Sequence, residues 1–455
     1  MSTATARLAE WAAQTPHQWP ADCVDLARRA FVDTVGCALA GSIEAPARAV
    51  REAAPAWGSG SCRIHGSPLT APAPIAALVN GTAAHAQDYD DVNNPAMSHP
   101  SAVLVPALLA LAQEIEADGG RCLDAYLVGY EILSRLGEAA NLAHYFRGWH
   151  TTLSLGAPAA AVACARLMRL DAGRTRAALS MATSMGSGSK RQFGTGTKPL
   201  HAGLAAQAGI MAARLAASGL DAAPEIFEGR WGMLEMMAGD GAPGFAGVLE
   251  RLGNPPAARE HGVWFKLYPC CASTHRPIDA VLSLRAEHRL HADAVESIDG
   301  MVSANAAANL RYAMPADPSQ ARFSLPYCVA TALLDGEVTP ASFTPEAISR
   351  PAVAALVPRI HMSVDPQLGG DLPIAQAIER STLTVRARDG SLLSKRIDTP
   401  RGHPLSPLDD ELLDAKFRTC ALGLIPPERA EQTLTALRAM GVPDREAAFM
   451  RWMQA

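Results

Sequence analysis

The feature that most constrains the fold is a change of texture along the chain. As far as Val263 the sequence reads as helices built largely from small residues. The run CVDLARRAFVDTVGCALAG after Pro20 has helical apolar spacing and a closing glycine. Further helical patterns cover residues 74–88, 123–141, 157–170, 172–185 and 201–220, with another beginning at His99-Pro100. Stretches such as AAAVACA and GLAAQAGIMAARLAA let helices approach closely and predict a dense bundle. Past Val263 the segments alternate: SIDGMVSANA, PRIHMSV, and the pair STLTVRA and LLSKRID across Asp389-Gly390, a strong hairpin signal. Helical patterns interrupt them at Ile278–Glu287 and Tyr327–Leu334, and helix returns from Asp409. The expectation is a mainly α protein: a large all-helical domain formed by both chain ends, residues 1–264 and 401–455, plus a smaller α+β domain over 265–400. The junction near Lys266 is a natural place for a cleft.

Composition removes whole classes of function. Hydrophobic residues make up 49% and charged residues 19%, which is globular rather than disordered. Net charge is -5 with no basic run, so nothing favours nucleic acid. The apolar windows are too short to span a bilayer, and the first residues lack the order of a signal peptide, so the expectation is a soluble, cytoplasmic protein. Nine cysteines are scattered through apolar patterns without a C-x-x-C pair. They read as buried thiols in a reducing compartment, with no zinc or iron–sulfur spacing. No cofactor and no metal are expected.

Five ionisable residues interrupt this apolar background in one short segment: His85, Asp88, Asp90, Asp91 and His99. Gathering them where helices converge is costly unless they are solvated, paired or used. The plainer reading pairs Asp88 with His85 and leaves Asp90 and Asp91 in solvent. A second segment, YFRGWHTTLSLG, places Tyr145, Arg147, His150, Thr151 and Thr152 before an alanine-rich helix, a setting that suits an anion or a simple helix cap. A third, GSGSKRQFGTGTKPLHAG, carries Lys190, Arg191 and Lys198 on a glycine-rich loop. It is not a phosphate loop of the Walker type, since Pro199 follows the lysine and no strand precedes it. A fourth, WFKLYPCCASTHRPIDA, holds Lys266, Tyr268, Cys270, Cys271, His275 and Arg276. Tyr327 opens a helix further on.

Lysine usage sharpens the choice. Of 40 basic residues only five are lysine: Lys190, Lys198, Lys266, Lys395 and Lys416. In an arginine-rich chain a retained lysine is a candidate for chemistry that needs a compact, titratable ammonium. Cationic donors, imidazoles, an aspartate and a tyrosine, with no cofactor motif, fit a small polyanionic substrate and proton transfer.

The motifs FVDTVGCALAG, NGTAAHAQDYDD, SHPSAVLVPALLALAQE, AYLVGYEILSRLG, RGWHTT, GTGTKPLHAG, FKLYPCCASTH and FSLPYCVATALLDG, in this order, resemble the MmgE/PrpD family over nearly the full length. That family joins dehydratases, decarboxylases and epimerases of small di- and tricarboxylates. The resemblance implies a homodimer with a cofactor-free active site between the helical and lid domains. It carries the family's active-site positions onto Asp88, His99, His150, Lys198, Lys266 and Tyr327. Tyr145, Arg147, Thr151, Arg191, His275 and Arg276 are the expected substrate-binding residues. Two departures stand out. Decarboxylases resemble DFDDTWHPATHP where this chain has Val92 and Asn93 and one extra residue before His99; dehydratases carry Trp-Gly where this chain has Met97-Ser98. The decarboxylases' further histidine is Cys271 here. With both lyase signatures broken, the sequence favours epimerisation of an imino- or amino-dicarboxylate, as in iminodisuccinate epimerase. The alternatives are dehydration of a 2-methylcitrate-like hydroxy acid, decarboxylation of cis-aconitate, or a catalytically silent dicarboxylate-binding protein.

Overall fold

The computed structural model describes residues 2–365 and 380–454; residues 366–379 of the expected lid lie outside that description. The long helices are α1 (Ala4–Gln14), α2 (Ala21–Gly41), α3 (Ala73–Ala86), α4 (Ser101–Ile115), α5 (Gly119–Ala140), α6 (Gly156–Leu167), α7 (Ala172–Met185), α8 (Thr197–Ala217), α9 (Ala272–His288), α10 (Leu325–Asp335), α11 (Asp410–Ala421), α12 (Pro427–Arg438) and α13 (Glu446–Gln454). Local chemistry sets several starts. Asp118 accepts from the Arg121 N–H, Asp171 from Arg174, Ser324 from Tyr327 and Asp409 from Leu412, each satisfying an orphan donor of a first turn.

Two hydrophobic clusters organise the described side chains. One gathers residues from Ala4 to Phe265 and resumes from Leu408 to Met453. The other runs from Tyr268 to Val385 and takes in Phe193. The chain ends therefore share one core: α11 packs on α2, as the returning helical pattern led one to expect. The second core lies under a four-stranded sheet of β1 (Val295–Val302), β2 (Ile360–Val364), β3 (Ser381–Ala387) and β4 (Leu392–Ile397), in the order β2-β1-β3-β4. β1 and β2 are parallel, the other neighbours antiparallel, and β3–β4 is the hairpin signalled by Asp389-Gly390. On β3 the residues Ser381, Leu383, Val385 and Ala387 turn inward, the period-2 alternation of a half-buried strand. All nine cysteines are free and buried. Among the described residues no helix is long and apolar enough to cross a membrane.

Small residues decide how tightly the bundle closes. A Cβ on Gly203 of α8 would lie 2.2 Å from the Leu78 carbonyl oxygen of α3, and one on Gly81 would lie 2.9 Å from the Gly203 Cα. The two helices touch backbone to backbone, and only glycine permits that approach. Their crossing sets the distance between the groups each helix carries just beyond it.

Candidate active site

The close crossing brings His85, near the end of α3, against Lys198 and His201 in the first turns of α8. α3 then stops at Ala86, short of the expected Asp88. Asp88 leaves the helix with φ 52°, the left-handed region that aspartate tolerates better than most residues. His85, Asp88 and Val92, which a helix continued past Ala86 would align on one face, therefore do not share one. Instead Val92 and Trp264 exchange backbone hydrogen bonds of 2.9 and 3.1 Å, which docks the acidic segment beside Lys266.

The expected partnerships also change. Asp90 and Asp91 are wholly buried rather than solvated. Asp90, not Asp88, pairs with His85: its Oδ2 is 2.8 Å from His85 Nδ1 and 3.4 Å from His99 Nδ1. Asp88 serves the lysines. Its Oδ1 accepts from Lys266 Nζ, its Oδ2 lies 3.2 Å from Lys198 Nζ, and its carbonyl accepts from Lys266 at 2.9 Å. Lys198 Nζ also donates to His85 Nε2 at 2.9 Å. The result is a buried chain of groups: Asp90, His85, Lys198, Asp88, Lys266.

Hydrogen-bond logic fixes two tautomers. The His99 Nδ1 lies 2.9 Å from the Asp91 carbonyl, which can only accept, so that nitrogen carries the proton and Nε2 keeps a lone pair. His85 donates from Nδ1 to Asp90 and accepts from the Lys198 ammonium at Nε2. His150 meets His201 Nδ1 to Nδ1 at 2.8 Å, and its buried Nε2 has no hydrogen-bond partner among the described residues. The rings of His99 and His150 stand 4.4 and 5.9 Å from that of His85.

Burial and charge set the proton affinities. Burial pushes His85 down to about 4 despite Asp90, and pushes His150 well below the usual imidazole range, with the Lys198 charge adding to the effect. His99 moves down for the same first reason. Burial alone would raise Asp88, but Lys198 and Lys266 hold it well below the usual carboxylate range. Burial lowers Lys198 against the pull of Asp88, while for Lys266 the Asp88 and Asp90 charges outweigh burial and raise it. Asp91, sunk beside Ser101, is pushed up to about 8 and is a protonated acid at neutral pH. One site thus holds an ionised carboxylate, a neutral one, neutral imidazoles and a lysine whose hold on its proton burial weakens.

The cluster opens on a cavity of about 960 Å³ lined by Asp88, His99, His150 and Lys198 from the helical core and by Phe193, Cys271 and Phe323 from the other. Of the remaining sequence candidates, Tyr145 and Arg276 line it as well. Lys266 does not. It is fully enclosed and reaches the site through Asp88. Tyr327 is not brought to the cluster either, because its hydroxyl donates to the Ser342 carbonyl inside the second core. Thr151 spends its hydroxyl on the Met97 carbonyl, and His275 lies on the Cys270 carbonyl at 3.3 Å between Trp264 and Tyr268. Arg147 and Arg191 lie outside the lining, Arg191 exposed.

Reading the sequence missed Asp90, His85 and His201 as working partners. Their signal was present in the i, i+5 pair His85–Asp90 and in the i, i+3 pair Lys198–His201, which puts a cation and an imidazole on one helix face. Trp264 and His403, 5.5 Å apart ring to ring, also line the cavity. His85, Asp88, Asp90 and His99 offer ligand atoms within 4.8 Å of one another. The ammonium groups of Lys198 and Lys266 already sit on Asp88, and their charge opposes a cation at that point.

Comparisons with known proteins cover most of the chain. The MmgE/PrpD N-terminal domain matches residues 6–246, and the MmgE/PrpD C-terminal domain matches residues 268–440. The chain is similar to the cis-aconitate decarboxylase of Homo sapiens, 30% identical over 91% of this chain and 87% of the human one. It is 30% identical to the Mus musculus cis-aconitate decarboxylase over 84% of this chain and 78% of that one. With the cis-aconitate decarboxylase of Aspergillus terreus it shares 24% identity over 95% and 92% of the two chains.

Proposed function

The chain belongs to the MmgE/PrpD family of enzymes, and on that premise we propose that it is a cofactor-independent lyase that decarboxylates cis-aconitate or a tricarboxylate of the same shape. The observation that carries the proposal is the placing of Lys198. Its ammonium stands at the cavity wall between the Asp88 carboxylate and the His85 imidazole, with a proton that burial loosens. In such a substrate the departing carboxylate hangs on a methylene next to a carbon–carbon double bond. As CO₂ leaves, the electron pair of the broken bond forms a new double bond to the methylene carbon. The old double bond's pair takes a proton at its far carbon. Lys198 gives that proton and regains one from solvent. Negative charge grows on the conjugated carboxylate during this step, and donors fixed in a dry cavity stabilise it better than water does. A His201 ring that donates to His150 Nδ1 leaves His150 Nε2–H as a donor to a substrate carboxylate.

This reading displaces epimerisation, which the broken signatures at Val92, Asn93 and Cys271 favoured. The relatives carry a lyase name across most of this chain, and short breaks in a signature weigh less than full-length similarity. His99, with its lone pair on Nε2, is the group that an epimerase or dehydratase would use as base.

Proton NMR in D₂O tests the proposal, with cis-aconitate, 2-methylcitrate and iminodisuccinate stereoisomers as substrates. The expected result is a pair of vinyl methylene signals from cis-aconitate, release of CO₂ and one deuterium in the product. Exchange at a carbon-bound proton of iminodisuccinate without a vinyl signal establishes the epimerase instead. Binding without turnover of any of them establishes a silent binder.

A further inference from the structure

We propose that Lys416, on the returning helix α11, is a positioning residue for this site. Its ammonium fastens together the two backbone segments that carry Asp88 and Lys266. Lys416 Nζ donates to the Tyr89 carbonyl at 2.7 Å and to the Lys266 carbonyl at 2.9 Å, and pairs with Asp33 Oδ1 of α2 at 2.7 Å. Lys416 and Asp33 are both almost wholly buried, their side chains 2% and 1% exposed. One acceptor is the residue next to Asp88, and the other is Lys266 itself. Tyr89 ties the same two segments a second time, its hydroxyl donating to the Leu267 carbonyl at 3.3 Å. The Lys416 charge also rests 3.9 Å from the centre of the Tyr89 ring.

The choice of residue fits this task. Three oxygens from three segments surround one point, and a compact ammonium with three rotatable donors meets that arrangement. A planar guanidinium does not. In a chain with only five lysines, this one is retained where arginine's geometry fails. A helix that begins only after the sheet's last strand would otherwise have no bearing on chemistry at Asp88, yet through this contact it sets the distance over which Asp88 grips Lys266, and so where Asp88 holds Lys198.

The plain alternative is that Lys416 only neutralises the buried Asp33 carboxylate. The two roles separate in a double variant. Lys416→Met alone strands Asp33 without its counter-charge and lowers both stability and activity. Adding Asp33→Asn removes the stranded charge. The expected result is that Lys416→Met with Asp33→Asn regains the thermal unfolding midpoint of the wild type while kcat stays about 100-fold down, the scale of a small misplacement of reacting groups. KM for cis-aconitate moves much less. Asp33→Asn alone keeps kcat near wild type. Recovery of kcat together with stability overturns the proposal.

The proposal rests on the site assigned above, so the test carries a readout that needs no substrate. Ring ¹⁵N resonances of His85 and His99 report the hydrogen bonds of the Asp90–Asp91 segment. They shift in the stabilised double variant if Lys416 positions that segment, and unchanged resonances overturn the proposal. A wild type inert toward cis-aconitate would sink the decarboxylase reading alone, leaving the histidine resonances to decide the role of Lys416.

Discussion

Lys198 draws its chemistry from its neighbours. An ammonium in solution holds its proton too tightly to give it to carbon at neutral pH, and burial in this cavity loosens it while Asp88 keeps it in place. Lys198→Met should therefore lower kcat by about 10²–10⁴, the range for losing a positioned proton donor. The wild-type alkaline limb of kcat should fall below the ordinary lysine value of 10.5, since Lys198 must carry its proton to act. A limb at or above that value, or a Lys198→Met variant of normal activity, would remove Lys198 from the mechanism. His201 is the partner that fixes His150. His201→Ala frees the His150 ring to turn and to swap tautomers, and is expected to cost about tenfold in kcat/KM, the worth of one hydrogen bond. The unfolding midpoint should fall as well, because truncating a buried imidazole leaves a cavity, so activity is compared at a temperature where both proteins are folded. No loss of activity would mean that His150 needs no tautomer control.

At the scale of elements, the site exists because α3 and α8 cross at Gly81 and Gly203. Gly203→Ala forces its Cβ into the Leu78 carbonyl and the Thr82 hydroxyl at 2.2 and 2.4 Å, so the helices must separate. The expected cost is about 1–3 kcal/mol of stability, the range for overpacking, read as a lower urea midpoint. Activity should fall by more than this loss explains, because the same separation pulls Lys198 from His85. A variant as active as wild type at temperatures where both are folded would uncouple the crossing from the site. Much at this scale was legible in the sequence. Small-residue runs marked the close helices, Asp389-Gly390 marked the β3–β4 hairpin, and the return of helical spacing after Asp409 marked α11. The five ionisable residues between His85 and His99 marked the buried cluster beside the cavity. Partner choice was not legible. Whether Asp88 or Asp90 meets His85 depends on one residue, Asp88, turning to positive φ and ending α3 early, and residue spacing along a helix is silent past its last turn. Tyr327 failed for a related reason. A tyrosine at a helix start is equally suited to a cavity and to a core, and only packing against Phe343 and Ser342 decides between them.

Across the whole molecule, five histidines are held in neutral form by burial. His65, His85, His144, His201 and His403 are each pushed by burial down to about 4 from an ordinary 6.5. The unfolded chain binds protons at these positions as pH falls below 6.5, and the folded chain does not until pH nears 4. Each therefore adds stability that is complete above pH 6.5 and is lost through that window. Asp91, raised to about 8, works the other way between its ordinary 3.8 and 8, and burial raises Asp33 too, but five groups oppose two. The urea midpoint should fall steadily from pH 6.5 toward 4, well above the range where ordinary carboxylates titrate. His65 separates this effect from catalysis. It stacks on Trp452 with ring centres 6.2 Å apart and does not line the cavity. His65→Phe should shallow the acid slope and leave kcat unchanged, because it removes one proton uptake from the unfolded state alone. A midpoint that is flat between pH 6.5 and 5, or a His65→Phe slope equal to wild type, would show that these imidazoles gain solvent before the chain unfolds. In that case the dry environment invoked for Lys198 would fail at acid pH as well.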